Sequence, residues 1–166
     1  MYVYRTWPSW APLPLRLIIG IGMMYHGWPK LFDAQQHAGF AGNLQALGFP
    51  APGALAWLVG LLEVFGGLAL ILGAFVTILS VLFIIEMLVA MFTVHLPAGF
   101  SFMHITGMSP QGPTFGLPGY EVNLLYIAGL LSLIFSGAGA YSVDEAMARR
   151  RATARTADVG ARPATT

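Results

Sequence analysis

The chain has 166 residues, of which 57% are hydrophobic and only 9% are charged. Soluble domains carry roughly 25% charged residues, and this chain has too few to cover a water-facing surface. The composition therefore excludes an ordinary soluble domain and favours an integral membrane protein. Because the chain contains no cysteine, disulfide bonds and thiolate chemistry are excluded, and any redox role would belong to a bound molecule or to a partner.

Four apolar segments are each long enough to cross a bilayer as a helix, which takes about 17 to 25 residues. The pattern predicts an all-α integral membrane protein, a bundle of four transmembrane helices within a domain over residues 13–145. Residues 1–12 are expected to form an interfacial segment ahead of the bundle. The four predicted spans cover about 13–32, 54–72, 75–96 and 120–141.

The positive charges are unevenly distributed. No Lys or Arg lies between Lys30 and Arg149, whereas arginines crowd the residues that follow. Positive residues favour the cytoplasmic side of a membrane, so the pattern predicts that both termini are cytoplasmic. Residues 146–166 have no apolar periodicity and are predicted to form a basic, disordered cytoplasmic tail that contacts lipid headgroups rather than nucleic acid.

Two longer connections join the predicted spans on the side of the membrane opposite to the termini. Residues 33–53 contain Phe40, Leu44 and Leu47 at helical spacing, which predicts a short interfacial helix followed by a turn. Residues 97–119 are rich in Gly and Pro and are also apolar. We expect this second connection to fold back over the bundle.

Two acidic residues, Glu63 and Glu86, lie inside predicted spans, where a charged group costs about 2.5 to 3.5 kcal/mol on insertion scales. A tight turn at Leu72–Ala74 would bring them to the same depth, each about 17 Å from the turn at 1.5 Å per residue. Two carboxylates that close repel each other. The pair is therefore expected to share a proton unless a cation lies between them.

The first span supplies two basic side chains on one helical face, His26 and Lys30. His26 is expected to be the one deep enough to reach the glutamates, while Lys30 either extends to the interface or joins the site. His95 lies on the opposite side of its helix from Glu86, so the two cannot ligate one metal, and no metal site is predicted.

Glu121 starts the fourth span and is either a site residue or a favourable partner of the helix dipole. No residue receives a catalytic role. The candidates for ligand binding or proton handling are His26, Lys30, Glu63, Glu86, His95 and Glu121.

A set of short motifs follows the chain in a recognisable order. Together they resemble the DoxX family of small four-helix bacterial membrane proteins, and the resemblance covers about residues 15–144. The motifs are Arg16-Leu-Ile-Ile-Gly20, His26-Gly27, Lys30-Leu-Phe32, Leu62-Glu63-Val-Phe-Gly66-Gly67, Val94-His95-Leu-Pro97 and Tyr120-Glu121.

The resemblance implies a multi-pass protein of a bacterial-type inner (cytoplasmic) membrane. The family is named after a subunit linked to quinone-dependent sulfur oxidation, and its members are often labelled oxidoreductases. This implies quinone as a candidate ligand and a soluble or membrane redox protein as a candidate partner. His26, Lys30, Glu63 and Glu121 match recurrent polar positions of the family, whereas residues 101–118 are the least family-like stretch.

Three functions are compatible with these features. The first is an accessory or quinone-associated subunit of a membrane redox system, with a polar site in the outer half of the bundle. The alternatives are a structural organiser that docks soluble partners and a small proton-coupled transporter. A self-contained enzyme is not expected, because the sequence has no haem, flavin or nucleotide motif and no Ser-His-Asp pattern. The oligomeric state is left open.

Overall fold

The computed structural model describes the backbone of residues 7–161 and the side chains of residues 9–154. Most of this part of the chain is helical. The helices are α1 (Trp7–Trp10), α2 (Pro12–Phe32), α3 (Ala34–Ala46), α4 (Pro52–Leu61), α5 (Gly67–Leu72), α6 (Val76–Ala90), α7 (Glu121–Ser136) and α8 (Val143–Ala161).

Two of the predicted span segments contain a local change of helix type. A π-helical turn, Leu62–Gly66, joins α4 to α5 in one continuous rod, and a second π-helical turn, Met91–His95, extends α6 before a 3₁₀ turn at Leu96–Ala98. Such single π turns are frequent at functional sites, because the extra residue rotates the side chains that follow.

Helix α2 packs against several other helices of the bundle. The α4–α5 rod and α7 both contact α2, and α6 packs against α7. Much of the apolar surface faces outward instead of into the core: Ile78 on α6 and Phe135 on α7 are 61% and 84% exposed. Helices that are apolar on their outer faces are suited to a hydrocarbon environment. The buried core comprises Ile19, Met23, Leu70, Val76, Leu79, Phe83, Leu130 and Leu133.

Two glycines face each other where α2 packs against α5. A Cβ placed on Gly20 would lie 2.7 Å from the Gly67 carbonyl oxygen, and a Cβ on Gly67 would lie 2.7 Å from the Gly20 carbonyl oxygen. No other residue type fits at either position without moving a backbone. This contact sets the distance between the two helices, and therefore the distance between the polar side chains on them.

The fourth predicted span is shorter than expected. Helix α7 ends at Ser136, so the predicted end at residue 141 is wrong. Gly137 and Gly139 adopt positive φ angles of 74° and 71°, a conformation that glycine tolerates and that turns the chain out of the helix.

The first long connection contains the helix that its spacing predicts. Asp33 caps α3, because its Oδ1 accepts hydrogen bonds from the backbone N–H groups of Gln35 and Gln36 at 2.9 and 3.1 Å. The short helix is thus confirmed, and its interfacial location stays a prediction.

The second long connection forms a β-hairpin that the sequence reasoning missed. Strand β1 (Ile105–Ser109) pairs antiparallel with β2 (Gly112–Phe115). Its apolar side chains are not folded over the bundle as expected: Met108 is 79% exposed and Phe115 is 58% exposed. The two strands are only five and four residues long, and the glycines and prolines around them are typical of a loop, so the pattern did not predict strands.

The predicted disorder from residue 146 onward is wrong as far as residue 161, because α8 occupies Val143–Ala161. Ser142 Oγ accepts a hydrogen bond from the Glu145 N–H at 3.2 Å, and Glu145 pairs with Arg149 one turn later at 2.9 Å. These contacts and the alanines favour a helix, although none of its described side chains, as far as residue 154, is buried. The remainder of the predicted tail, and residues 1–6 of the N-terminal segment, lie outside the described residues.

Candidate functional site

The most closely paired charges in the described bundle are Lys30 and Glu63. Lys30 Nζ donates to both carboxylate oxygens of Glu63, each at 2.6 Å. The Glu63 side chain is only 4% exposed and that of Lys30 is 18% exposed. An ion pair with so little water around it is shielded weakly, so each charge depends on the other for its stability.

Small residues allow this pair to form. Lys30 lies in the last turn of α2, and Glu63 lies in the π-helical turn between α4 and α5. A Cβ on Gly27 would lie 2.6 Å from the Glu63 Cβ, and a Cβ on Gly60 would lie 3.3 Å from the Lys30 Cβ. The two glycines let the helices approach closely enough for the side chains to meet.

Glu86 joins the pair from the neighbouring rod. Its carboxyl group lies near that of Glu63, close enough for the two charges to interact. Its Oε2 is buried, and no donor in the described part of the chain reaches it. Two neighbouring buried carboxyl groups repel each other when both are ionised, and sharing one proton removes that repulsion. The cluster of Lys30, Glu63 and Glu86, called the acid–lysine cluster below, can therefore hold a proton next to an ion pair.

Helix α3 covers the lysine end of this cluster. The Phe40 ring lies 4.4 Å from Lys30 Nζ, which is cation–π distance. His37 Nδ1 donates to the Lys30 carbonyl oxygen at 2.8 Å, and the imidazole packs against Trp57 with ring centroids 4.5 Å apart. The sequence reasoning did not assign Phe40 or His37 to the site. The helical spacing of Phe40 predicted only its helix, and nothing in the sequence indicated which way that helix folds back.

An open groove of about 1340 Å³ runs along α2, α3 and α5 beside this covered lysine. Lys30 belongs to its lining, so the groove leads to the acid–lysine cluster. The lining combines aromatic, polar and aliphatic side chains, among them Tyr25, His26, Trp28, Gln35, Gln36, Phe40, Asn43, Leu68 and Ile71.

Comparison with known protein families identifies the chain. The family model for DoxX matches residues 11–96, slightly more than half of the chain. The chain belongs to the DoxX family. Searches of curated proteins and of solved structures each gave no match.

Membership in the DoxX family makes this a membrane protein. Within the described residues, two rods are long and apolar enough to cross a bilayer, Pro52–Leu72 and Val76–Ala98, and α7 is a shorter apolar helix. The matched region contains the whole acid–lysine cluster together with His26 and His95. Glu121 and the β-hairpin lie beyond it.

His26 does not occupy the position expected for it in this DoxX chain. The sequence predicted that His26 reaches the glutamates, but Lys30 makes that contact, and His26 is exposed on the groove side of α2. The reason is the helical rotation of α2: Gly27, the next residue, faces Glu63 and thereby turns His26 away. The His26 ring instead packs edge-on against Tyr25.

His95 and Glu121 hold the second connection in place. His95 Nδ1 donates to the Pro118 carbonyl oxygen at 2.8 Å, and Glu121 Oε2 accepts a hydrogen bond from the Phe102 N–H at 2.9 Å. These bonds attach the hairpin segment to α6 and α7. Within the described residues, no hydrogen bond or ion pair links either residue to the acid–lysine cluster, and no group of three or more His, Asp or Glu could hold a metal ion.

Proposed function

We propose that this DoxX protein is a quinone-associated accessory subunit of a membrane redox system. The observation that carries the proposal is the double role of Lys30, which binds Glu63 at 2.6 Å and also lines the groove. A ligand in the groove would thus have an ammonium donor within reach and a protonated carboxyl pair behind it. Electrons would come from a soluble or membrane redox partner, because the chain has no redox-active group of its own.

The groove suits a flat, amphiphilic ring. Tyr25, Trp28 and Phe40 provide aromatic faces, and the amides of Gln35 and Gln36 provide further donors. A bound quinone would supply two-electron, two-proton carrier chemistry. The residues of the chain would orient its oxygens and supply protons: Lys30 donates a hydrogen bond into the groove, and the proton held by Glu63 and Glu86 replaces one that Lys30 releases.

Quinone retention tests the proposal directly. The protein, purified from native membranes, should carry quinone that lipid extraction and mass spectrometry detect. His26→Leu removes an exposed polar group from the groove lining, and we expect about tenfold less quinone per protein, the effect of losing one hydrogen bond. His104→Leu is the control, because His104 is a partly exposed histidine of the hairpin segment that does not belong to the groove lining, and it should retain the full amount.

Two results would contradict this assignment. One is native protein that carries no quinone, and the other is equal loss of quinone in both histidine variants. Either would mean that the groove does not select for the ligand.

We further propose that α2, the α4–α5 rod, α6 and α7 all cross a bacterial-type inner membrane, with both termini in the cytoplasm. The arginines of α8 support this orientation. Because the chain lacks cysteine, single cysteines report topology without background. Cysteines at Gln36 and Ser109 should react with an impermeant maleimide in intact cells, and one added at the C-terminus should react only after lysis. The reverse labelling pattern would overturn the orientation.

A small proton-coupled transporter is the alternative that the same carboxyl pair supports, since buried acids are also typical of proton relays. Reconstituted vesicles distinguish the two functions. A transporter would acidify or alkalinise the vesicle lumen when substrate is added, whereas a quinone-associated subunit without its partner would leave the lumen pH unchanged.

A further inference from the structure

The β-hairpin segment presents an apolar surface that no part of the described bundle covers. Its exposed side chains come from both strands and from the chain on either side of them. We call these side chains the hairpin surface, and each is at least half exposed: Phe102, Met103, Ile105, Met108, Phe115 and Leu117.

Few charged residues adjoin this surface, and the nearest one is Glu121, which accepts a hydrogen bond from the Phe102 N–H. Residues 87–120 contain no Asp, Glu, Lys or Arg. Sites that dock soluble proteins are surrounded by a polar rim, and charge complementarity guides the partner to them. An apolar surface with so few charges beside it lacks the charge complementarity that guides a soluble partner, and it matches a lipid environment better.

The hairpin surface is also continuous with the outer face of α6. Exposed apolar residues run along that rod from Ile85 through Phe92 and Leu96 to Phe100, directly before the hairpin. His95 Nδ1 donates to the Pro118 carbonyl, and the Gly119 N–H donates to the Ser101 carbonyl; these bonds hold both ends of the segment at the end of the bundle. In a membrane protein, the apolar face of α6 contacts lipid, and the hairpin extends the same face.

We propose that the hairpin lies in the lipid headgroup region, with the hairpin surface inserted among the upper parts of the acyl chains. Insertion is shallow because both strands of a two-stranded sheet leave backbone N–H and C=O groups open at their outer edges, and these groups cannot enter hydrocarbon unpaired. An isolated hairpin is only marginally stable in water, so contact with lipid would also stabilise it.

Single cysteines in the cysteine-free chain test this placement. The full-length protein is labelled at Met108→Cys with an environment-sensitive fluorophore and reconstituted in phosphatidylcholine vesicles. Quenching is compared for lipids that carry a nitroxide near the headgroup, for lipids that carry it near the acyl chain end, and for aqueous iodide. Ile85→Cys, on the exposed face of α6, serves as the deep reference, and Gln111→Cys, in the hairpin turn, serves as the aqueous reference.

The expected result is that Met108→Cys is quenched more strongly by the shallow nitroxide than by the deep one, and that iodide quenches it several-fold less than it quenches Gln111→Cys. Equal iodide quenching at the two hairpin positions would place the surface in water and overturn the proposal. Protection from both iodide and nitroxides would mean that a protein, such as a second copy of this chain, covers the surface, and it would overturn the lipid assignment too. None of these outcomes depends on quinone binding.

Discussion

Replacing Lys30 with methionine should lower the free energy of unfolding by about 3 kcal/mol or more, the usual cost of removing one partner from a buried ion pair. The substitution leaves Glu63, whose side chain is 4% exposed, without the ammonium that binds both of its oxygens at 2.6 Å. Methionine retains most of the apolar stem, so lost packing contributes little. Thermal or denaturant unfolding in detergent measures the effect.

The chain contains its own control for this change. Arg149 and Glu145 form an ion pair of similar length, 2.9 Å, but their side chains are 77% and 46% exposed. Arg149→Met should therefore cost at most about 0.5 kcal/mol. If Lys30→Met costs no more than Arg149→Met, the Lys30–Glu63 pair does not stabilise the bundle.

The protonation state of the acid–lysine cluster provides a second readout of the same variant. Infrared spectra of the native protein at neutral pH should show a protonated carboxyl band, because Glu63 and Glu86 are buried near each other and repel unless one of them carries a proton. Glu86→Gln should remove that band. Lys30→Met should strengthen it, because a carboxyl pair without its ammonium is favoured to take up a second proton.

The double variant Lys30→Met, Glu63→Gln should recover at least half of the stability that Lys30→Met loses.

Hydropathy and turn signals alone predicted where the long helices lie and that Glu63 and Glu86 would meet. The equal-depth argument needed only a tight turn after α5, and the left-handed Gly73 at that turn supplies it. The identity of the basic partner could not be derived in the same way. His26 and Lys30 lie one turn apart on the same face of α2. Which of them reaches Glu63 depends on the rotation of α2, and the close contact of Gly27 with Glu63 determines that rotation.

Two further site candidates have partners that lie in a segment distant in sequence. His95 and Glu121 were grouped with the site because ionisable residues near a membrane bundle suggest function. In the structure, their partners are the Pro118 carbonyl and the Phe102 N–H. Backbone groups of an irregular connection carry no sequence signal, so partners of this kind are invisible before the chain is folded.

The burial of Arg16 makes it the second position where a single change should have a large effect. The residue is 1% exposed. Its Nη1 donates to the Ala138 carbonyl at 2.5 Å, and its Nη2 donates to the Tyr141 carbonyl at 3.2 Å. One guanidinium thereby ties α2 to the loop that links α7 to α8.

The loop that Arg16 holds is also connected to the turn between α5 and α6. Asp144, at the start of α8, accepts hydrogen bonds from the N–H groups of Phe75 and Val76, both at 2.9 Å, and its own N–H donates to the Gly73 carbonyl. Asp144 therefore caps α6 from a distant part of the chain. Arg16 and Asp144 together join all four rods at this end of the bundle.

Arg16→Met should lower the free energy of unfolding by about 3 kcal/mol, because each lost hydrogen bond from a charged donor is worth about 1.5 to 3 kcal/mol and the carbonyls are left without a partner. Arg16→Lys keeps the charge but cannot bind two separated carbonyls with one planar group, so an intermediate loss is expected. Limited proteolysis should cut the methionine variant within residues 137–142 faster than the native chain. The carboxyl band should stay unchanged in both variants, because the acid–lysine cluster makes no contact with Arg16. A methionine variant as stable and as protease-resistant as the native protein would show that the loop is held by its glycine-rich backbone and by Asp144 alone.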